Sequence, residues 1–357
     1  MIPPEEQLRN QYGKRGIYAG STHFHDYWCR DSMFASLGAL AIGDYEIVGK
    51  TLENFLGNLR DDGHVAMRIG STNQILQYLG FPTKHGVHHR QDKGNNTVYD
   101  SNSLLLIVAD KYERLSGHII DREKVKETVR WLDEHDRNGL LHERAYASWD
   151  DSLRLTGARL YTSVCYYSAL IAASEMLKDP AYAERAEKTK SLIQEWWNGR
   201  YFFDGENKAC LVAGNLLAIL WDVATQEQSE NILEHIAHRK TIIPPAGFWR
   251  PTLREVYPLF FFINLQDYHG MMEWSWLGWA EIAAYRKIGN YAEADRRTEL
   301  MMRQIERYGT LHEVYKNDKP VRRLIYRSER DFAWGIGMLL VSRGKINPLS
   351  FTSRRFE

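Results

Sequence analysis

The sequence predicts an all-α protein, a single domain over residues 1–357 built as an (α/α)6 toroid. Two patterns carry that expectation. Segments that are apolar nearly all round alternate with amphipathic, charged segments, and the apolar ones begin near residues 31, 101, 161, 211, 270 and 331. A helix apolar on every side must be buried, and its amphipathic neighbour must cover it. Six buried helices, each followed by a cover, fit an inner ring wrapped by an outer one. An α-solenoid shares the period of about sixty residues, but its helices are closer to equal in polarity. The strong inner/outer contrast favours the closed ring.

Taken in order, 31–42 (DSMFASLGALAI) reads as the first inner helix and 44–59 as its cover. The segment 63–80 is mixed, and 81–96 (FPTKHGVHHRQDKGNN) is a polar loop without periodicity. The pairs then run 101–115 with 122–135, 161–177 with 182–197, 211–223 with 226–238, and 270–285 with 291–308. The last inner helix, 331–341, is followed only by a short tail. No run of alternating β-branched residues is long enough for a sheet domain.

Composition narrows the function classes. Lys plus Arg and Asp plus Glu both number 46, so no net charge draws the chain to nucleic acid or an anionic membrane. Three scattered cysteines, Cys29, Cys165 and Cys210, argue against a disulfide framework and for a reducing compartment. No apolar run reaches a membrane span and the first residues do not read as a signal peptide, so a soluble, cytoplasmic protein is expected. The aromatic content is high, with 11 Trp, 20 Tyr and 13 Phe. Pyranose C–H faces pack on aromatic faces, so a sugar-binding cleft would use such rings, and so would a large aromatic core.

In a closed ring the loops entering the inner helices converge on one face. Those loops carry the unusual residues: Tyr27-Trp28-Cys29-Arg30-Asp31, Tyr99-Asp100-Ser101-Asn102, Trp149-Asp150-Asp151-Ser152, Gly214-Asn215, Tyr268-His269 with Glu273, Trp274 and Trp276, and His312-Glu313. Caps alone would not need so many polar and aromatic groups there. Arg30-Asp31 reads either as a structural ion pair with Asp31 capping its helix or as a sugar clamp. The acid pair beside Trp149 reads either as a cap or as a general acid whose pKa is raised by lost hydration. Trp274 and Trp276, two apart, cannot share one helix face, so one of them is expected to line something other than the core. His23-x-His25 and His85, His88 and His89 lack a Cys or paired acid to complete a ligand set, so neither a metal nor another cofactor is expected. Gly335-x-Gly337 has no strand before it and is not a dinucleotide loop.

These motifs together resemble the inverting glycoside hydrolases built on an (α/α)6 barrel: the hydrolases of glucosyl- and mannosylglycerate, the amylo-1,6-glucosidase part of debranching enzymes, and alkaline/neutral invertases. The resemblance runs over almost the whole chain. It implies that Arg30 and Asp31 hold a sugar in subsite −1, that Asp150 or Asp151 is the general acid, and that Glu313 is the general base. The pattern Trp-Asp-x-Ser-x-Arg favours Asp150 and Trp-x-Asp-Ser favours Asp151; both fit, with Asp151 preferred. Tyr27, Trp28, Asp100, Asn102, Trp149, Trp249, His269, Glu273, Trp274 and Trp276 would line the substrate site. Tyr268-His269 departs from the family's Tyr-His-Asn-Gly by lacking the Asn. The implied reaction is hydrolysis of an α-glycosidic bond in a small glycoside or oligosaccharide, with inversion. The acid would be neutral in its indole-walled setting and Glu313 ionised in a wetter one. The rival readings are an epimerase or isomerase of the N-acylglucosamine 2-epimerase type, using His269 or His312, and a non-catalytic carbohydrate-binding barrel.

Overall fold

Six inner helices pack side to side in a ring that closes on itself. They are α2 (Cys29–Ala41), α4 (Asp100–Ser116), α6 (Leu160–Leu177), α8 (Val212–Leu220), α11 (Ser275–Lys287) and α13 (Ala333–Arg343). Each packs on the next, and α13 returns to α2, which rules out an open solenoid. The computed structural model describes residues 2–22, 24–73, 81, 83–205, 209–344 and 349; His23 of the sequence reading lies outside them.

The inner helices bury nearly every residue, as their composition requires. The covers are α3 (Tyr45–Leu56), α5 (Arg122–His135), α7 (Pro180–Gln194), α9 (Gln226–Ala237) and α12 (Tyr291–Tyr308), and a short helix, α10 (Pro258–Phe262), lies in the loop before α11. Most of these bury one face; in α5 it is Val125, Thr128, Val129, Trp131 and Leu132, while α3 is buried over most of its length. The sixth cover comes from the other end of the chain: α1 (Pro4–Arg9) lies on α13 and bridges the closure.

Closure depends on two glycines. A Cβ on Gly38 would stand 2.4 Å from the Cα of Gly337, and one on Gly337 would stand 2.7 Å from the Cα of Ala35. Gly337 therefore marks the place where the first and last inner helices touch backbone to backbone, whereas Gly335 faces the side chains of Leu311 and Ser275.

Short antiparallel sheets, unforeseen in the sequence, decorate the face where the inner helices begin. β3 (Tyr27–Trp28), β4 (Arg68–Ser71) and β5 (His85–His88) form one, and β9 (Glu273–Trp274), β10 (Val314–Lys316) and β11 (Lys319–Pro320) another. β6 (Asp136–Arg137), β7 (Leu140–Glu143) and β8 (Gly157–Ala158) make a third; β1 (Tyr12–Gly13) and β2 (Gly16–Ile17) pair alone. Strands this short show no readable alternation.

The entries are tied together in a repeating way. The first amide of an inner helix donates to the loop that leads into the next one: Cys29 N to Met67 O at 2.8 Å, Val212 N to Ala246 O at 2.9 Å, Ser275 N to Glu313 O at 3.0 Å. Ala333 N donates to Ala19 O at 3.0 Å, which carries the pattern across the closure, and Leu160 N uses Asp204 Oδ1 at 3.0 Å. Helix-start amides that lack side-chain caps are satisfied this way. The same bonds hold the inner helix starts, with their partial positive charge, on one face.

Candidate active site

The loops on that face bring the candidate acids together through one dipeptide. Tyr268 and His269 stand just before β9. The Tyr268 hydroxyl donates to Glu313 Oε1 at 2.8 Å, while the Nδ1 of His269 lies 2.8 Å from Ser152 Oγ and accepts the Ser152 amide at 3.3 Å. Ser152 adjoins Asp151, so residues more than 150 positions apart in the chain flank two consecutive side chains. The accepted amide fixes the neutral tautomer of His269 with its proton on Nε2. Burial pushes this imidazole down to about 4, against the pull of Asp151 and Asp150.

Glu313 is buried, contrary to the wetter setting expected for a base. Its Oε2 accepts from Tyr326 Oη at 2.7 Å, so both carboxylate oxygens face tyrosine hydroxyls. Burial pushes its pKa up to about 7, and the two tyrosine hydrogen bonds hold it from going higher. Asp31, half-buried in the first turn of α2, is also raised to about 7 by burial, with Arg30 pulling it down and the nearby Glu313 pushing it up.

The acid pair divides into one sealed and one reachable carboxylate. Asp150 is 1% exposed and its Oδ2 accepts from Arg159 at 2.7 Å; Arg159 also binds Asp204. Glu143 adjoins this cluster, with Thr162 donating to one of its oxygens, and burial raises it to about 8. Asp151 keeps 17% of its side chain exposed, and its Oδ2 accepts from Lys93 at 2.6 Å and Gln91 at 2.9 Å. Burial would raise Asp151, but Lys93, His269 and Arg30 outweigh it and the pKa falls below the usual carboxylate value. The expectation that the neighbouring indole leaves this acid protonated is therefore wrong. Cationic neighbours act more strongly than the lost hydration.

Arg30 does not pair with Asp31. Its Nε donates to Asp100 Oδ2 at 2.5 Å, which also accepts from Tyr161 Oη at 3.1 Å, so Asp100 orients the arginine. Nor does Asp31 act as the cap of α2, whose N-cap position is Trp28. Trp28 is half-buried with the Arg68 guanidinium 5.2 Å from its ring centroid; Trp249 is also half-buried. Tyr27 is nearly closed off, stacked on Tyr18 at 4.5 Å, with its hydroxyl accepting the Arg15 amide.

Several expected site residues belong to the framework. Asn102 spends its whole amide on the fold: Val65 N donates to its Oδ1, and its Nδ2 donates to Gly63 O and Thr128 O. Asn215 does the same at the next but one entry, holding Phe202 and Leu211. Glu273 accepts the amides of Asn317 at 2.8 Å and Asp318 at 2.9 Å, both in left-handed conformation, and so clamps the β10–β11 turn. Burial raises Glu273 to about 7. Trp276 is fully buried and stacks on Trp334 at 4.3 Å. The i, i+2 argument fails because Trp274 stands in β9 rather than on α11, and α11 is enclosed on all sides; Trp274, Trp276 and Trp279 are all buried. Trp149 meets Trp274, Trp276 and His269 edge-on at 5.5, 5.2 and 5.1 Å, forming an aromatic floor under the acids. Much of the aromatic excess is this packing.

The sequence reading missed Lys93, Gln91 and Tyr326. The first two lie in the aperiodic 81–96 loop and the third in a hairpin bridged between Arg322 and Arg327. Among the described residues, no group of three or more His, Cys, Asp or Glu is placed to hold a metal ion.

No family model matches the sequence, and neither does any curated protein. Solved structures do match in shape. The GH63 mannosylglycerate hydrolase of Thermus thermophilus, in complex with Tris and D-glycerate, superposes with a TM-score of 0.68 at 13% identity, over 94% of this chain and 98% of that one. The fold is that of the (α/α)6 glycoside hydrolases. A structure described as wild-type glycosidase agrees, with a TM-score of 0.69 at 13% identity over 95% of both chains. The same GH63 hydrolase has also been solved with glucose, and matches with a TM-score of 0.67 at 13% identity over 94% of this chain and 98% of that one. In this glycosidase-like barrel the candidate acids of the present chain lie on the face where the inner helices start.

Proposed function

We propose that the chain is a glycoside hydrolase that cleaves an α-glycosidic bond of a small glycoside or oligosaccharide with inversion. Asp151 is the proton donor and Glu313 the base that activates water. The observation carrying this reading is the Tyr268-His269 dipeptide, which serves Glu313 with one side chain and the Asp151 loop with the other. Single displacement needs two carboxyl groups roughly 6.5–9.5 Å apart, with the water between them. Asp151 is preferred to Asp150 because a sugar oxygen can reach it, whereas Asp150 is sealed against Arg159.

The electrostatics set a condition. Asp151 takes up a proton only when Lys93 leaves it, so substrate entering beside the 81–96 loop must part that ion pair. Glu313, raised to about 7, is ionised as base only above that pH, so activity should climb through neutrality. Arg30, oriented by Asp100, and Asp31 would hold sugar hydroxyls, and the buried Trp149 cluster would keep the loops that carry the acids in position.

The epimerase reading is disfavoured. Its shuttle histidine must take and release a proton near neutrality, and His269 is held down at about 4 while Nδ1 is committed to Ser152. The test is incubation of the pure protein with α- and β-glycosides, with NMR of the first anomer released. A β-anomer from an α-glycoside is expected. Interconversion of a free sugar without bond cleavage would overturn the proposal.

A further inference from the structure

The hairpin that carries Tyr326 forms part of the wall of a cavity of about 620 Å³, together with Lys319, Arg330, His312 and Tyr308; Arg322 and Arg327 are its contribution. That volume suits a small molecule rather than a single ion. Four cationic side chains line it and, among the described residues, no carboxylate does. Lys319, Arg322 and Arg330 form no ion pair among the described residues. Of the nearby acids, Glu329 accepts the amide and hydroxyl of Thr22, a residue of the wall, at 2.6 Å each, Asp318 accepts the Ile242 amide at 2.8 Å, and Asp331 takes the Thr310 hydroxyl. In a chain with no net charge, such a one-sided concentration of cations at a concave site is a local feature that overall composition does not explain.

We infer that this cavity binds a phosphorylated small molecule and that its occupation steadies the hairpin resting on Glu313. Guanidinium groups match phosphate oxygens in paired hydrogen bonds, and three arginines converge here. The rings of Tyr308 and His312, edge to face at 6.5 Å, offer a flank for the body of the ligand. Two of the arginines stand at the two ends of the hairpin, where Arg322 and Arg327 bridge, and Arg323 N closes it on Tyr326 O at 2.7 Å. A phosphate gripped by both ends ties the hairpin shut. Its tip, Leu324 and Ile325, is exposed to solvent, flanked by Arg323, whose Nε donates to Asn264 O at 3.0 Å, and by Tyr326. Tyr326 then stays on Glu313 Oε2. The cavity is thus a regulatory site whose described wall includes none of Asp151, Glu313, Arg30 and Asp31, and its ligand chemistry does not depend on the hydrolase assignment.

Calorimetry with inorganic pyrophosphate and with a hexose monophosphate, at constant ionic strength set by potassium chloride, tests binding. Amide hydrogen exchange of residues 321–328 tests the hairpin. Neither readout needs catalytic activity. Saturable binding is expected, weakened at least tenfold in the R322A/R330A double variant, which alters only exposed side chains and should keep the wild-type Tm. Bound pyrophosphate should slow exchange across the hairpin. Absence of saturable heat at millimolar ligand, or equal binding by the double variant, would overturn the site. Unchanged exchange on binding would overturn the coupling to Glu313.

Discussion

At Glu313, two tyrosine hydroxyls and burial act in opposite directions on the same carboxylate. Hydrogen bonds from Tyr268 and Tyr326 favour the ionised form, while burial favours the neutral form and prevails, leaving the group near 7. Removing one donor must raise the pKa further. Tyr326→Phe should therefore move the acidic limb of the kcat/KM profile to higher pH and lower the plateau only modestly; a limb that stays in place would show that Glu313 does not set it. Residue roles of this kind were the least legible part of the sequence. Glu313 and the Asp150-Asp151 pair could be found because acids beside aromatics at helix entries are unusual. Lys93 could not: it sits in a loop without period, and its partner lies 58 residues away. Glu273, Asn102 and Trp276 look the same in sequence whether they face a ligand or satisfy a turn, a backbone or a core. Only the tertiary hydrogen bonds distinguish these cases.

Elements were read more reliably than residues, because burial imposes a pattern along the chain. The span expected for α5, 122–135, and that for α12, 291–308, coincide with the helices observed. The fifth inner helix begins at Ser275 rather than at 270, since Glu273 and Trp274 first pair with β10. Hydrophobicity could not separate that strand from the helix it enters. Nor could it reveal the use of Gly337, where a close crossing replaces side-chain packing. Gly337→Ala places a methyl against the Ala35 backbone and should cost about 1–3 kcal/mol, as overpacking does. In urea this would appear as a lower midpoint with an unchanged slope. Unaltered stability would mean that α2 and α13 can separate freely and that closure is loose.

For the whole molecule, the ring places several carboxyl groups in poorly hydrated positions at its mouth, which costs stability. A carboxyl whose folded pKa is raised binds its proton more tightly in the folded state, so stability falls as pH rises from the unfolded value, about 4.5, through the folded one, about 7. Glu313→Gln removes that penalty. The variant should melt higher than the wild type at pH 8, and the difference should close below about pH 4.5. A difference independent of pH would contradict the raised pKa. The ring itself was legible because six enclosed helices and their covers leave few other ways to bury so much apolar surface. Its sixth cover was not, since α1 comes from the opposite end of the chain and is too short to show a period.

The proposed division of labour between Asp151 and Glu313 can be tested with a leaving group that needs no proton. An α-glycosyl fluoride expels fluoride unaided but still requires an activated water, so Asp151→Asn, Asp150→Asn and Glu313→Gln are compared on the fluoride and on the matching O-glycoside. The account predicts that Asp151→Asn loses the O-glycoside by about 10²–10⁴-fold and keeps the fluoride, that Asp150→Asn falls less on the O-glycoside, and that Glu313→Gln loses both. Full fluoride turnover by Glu313→Gln, or equal O-glycoside activity in the two aspartate variants, would contradict it.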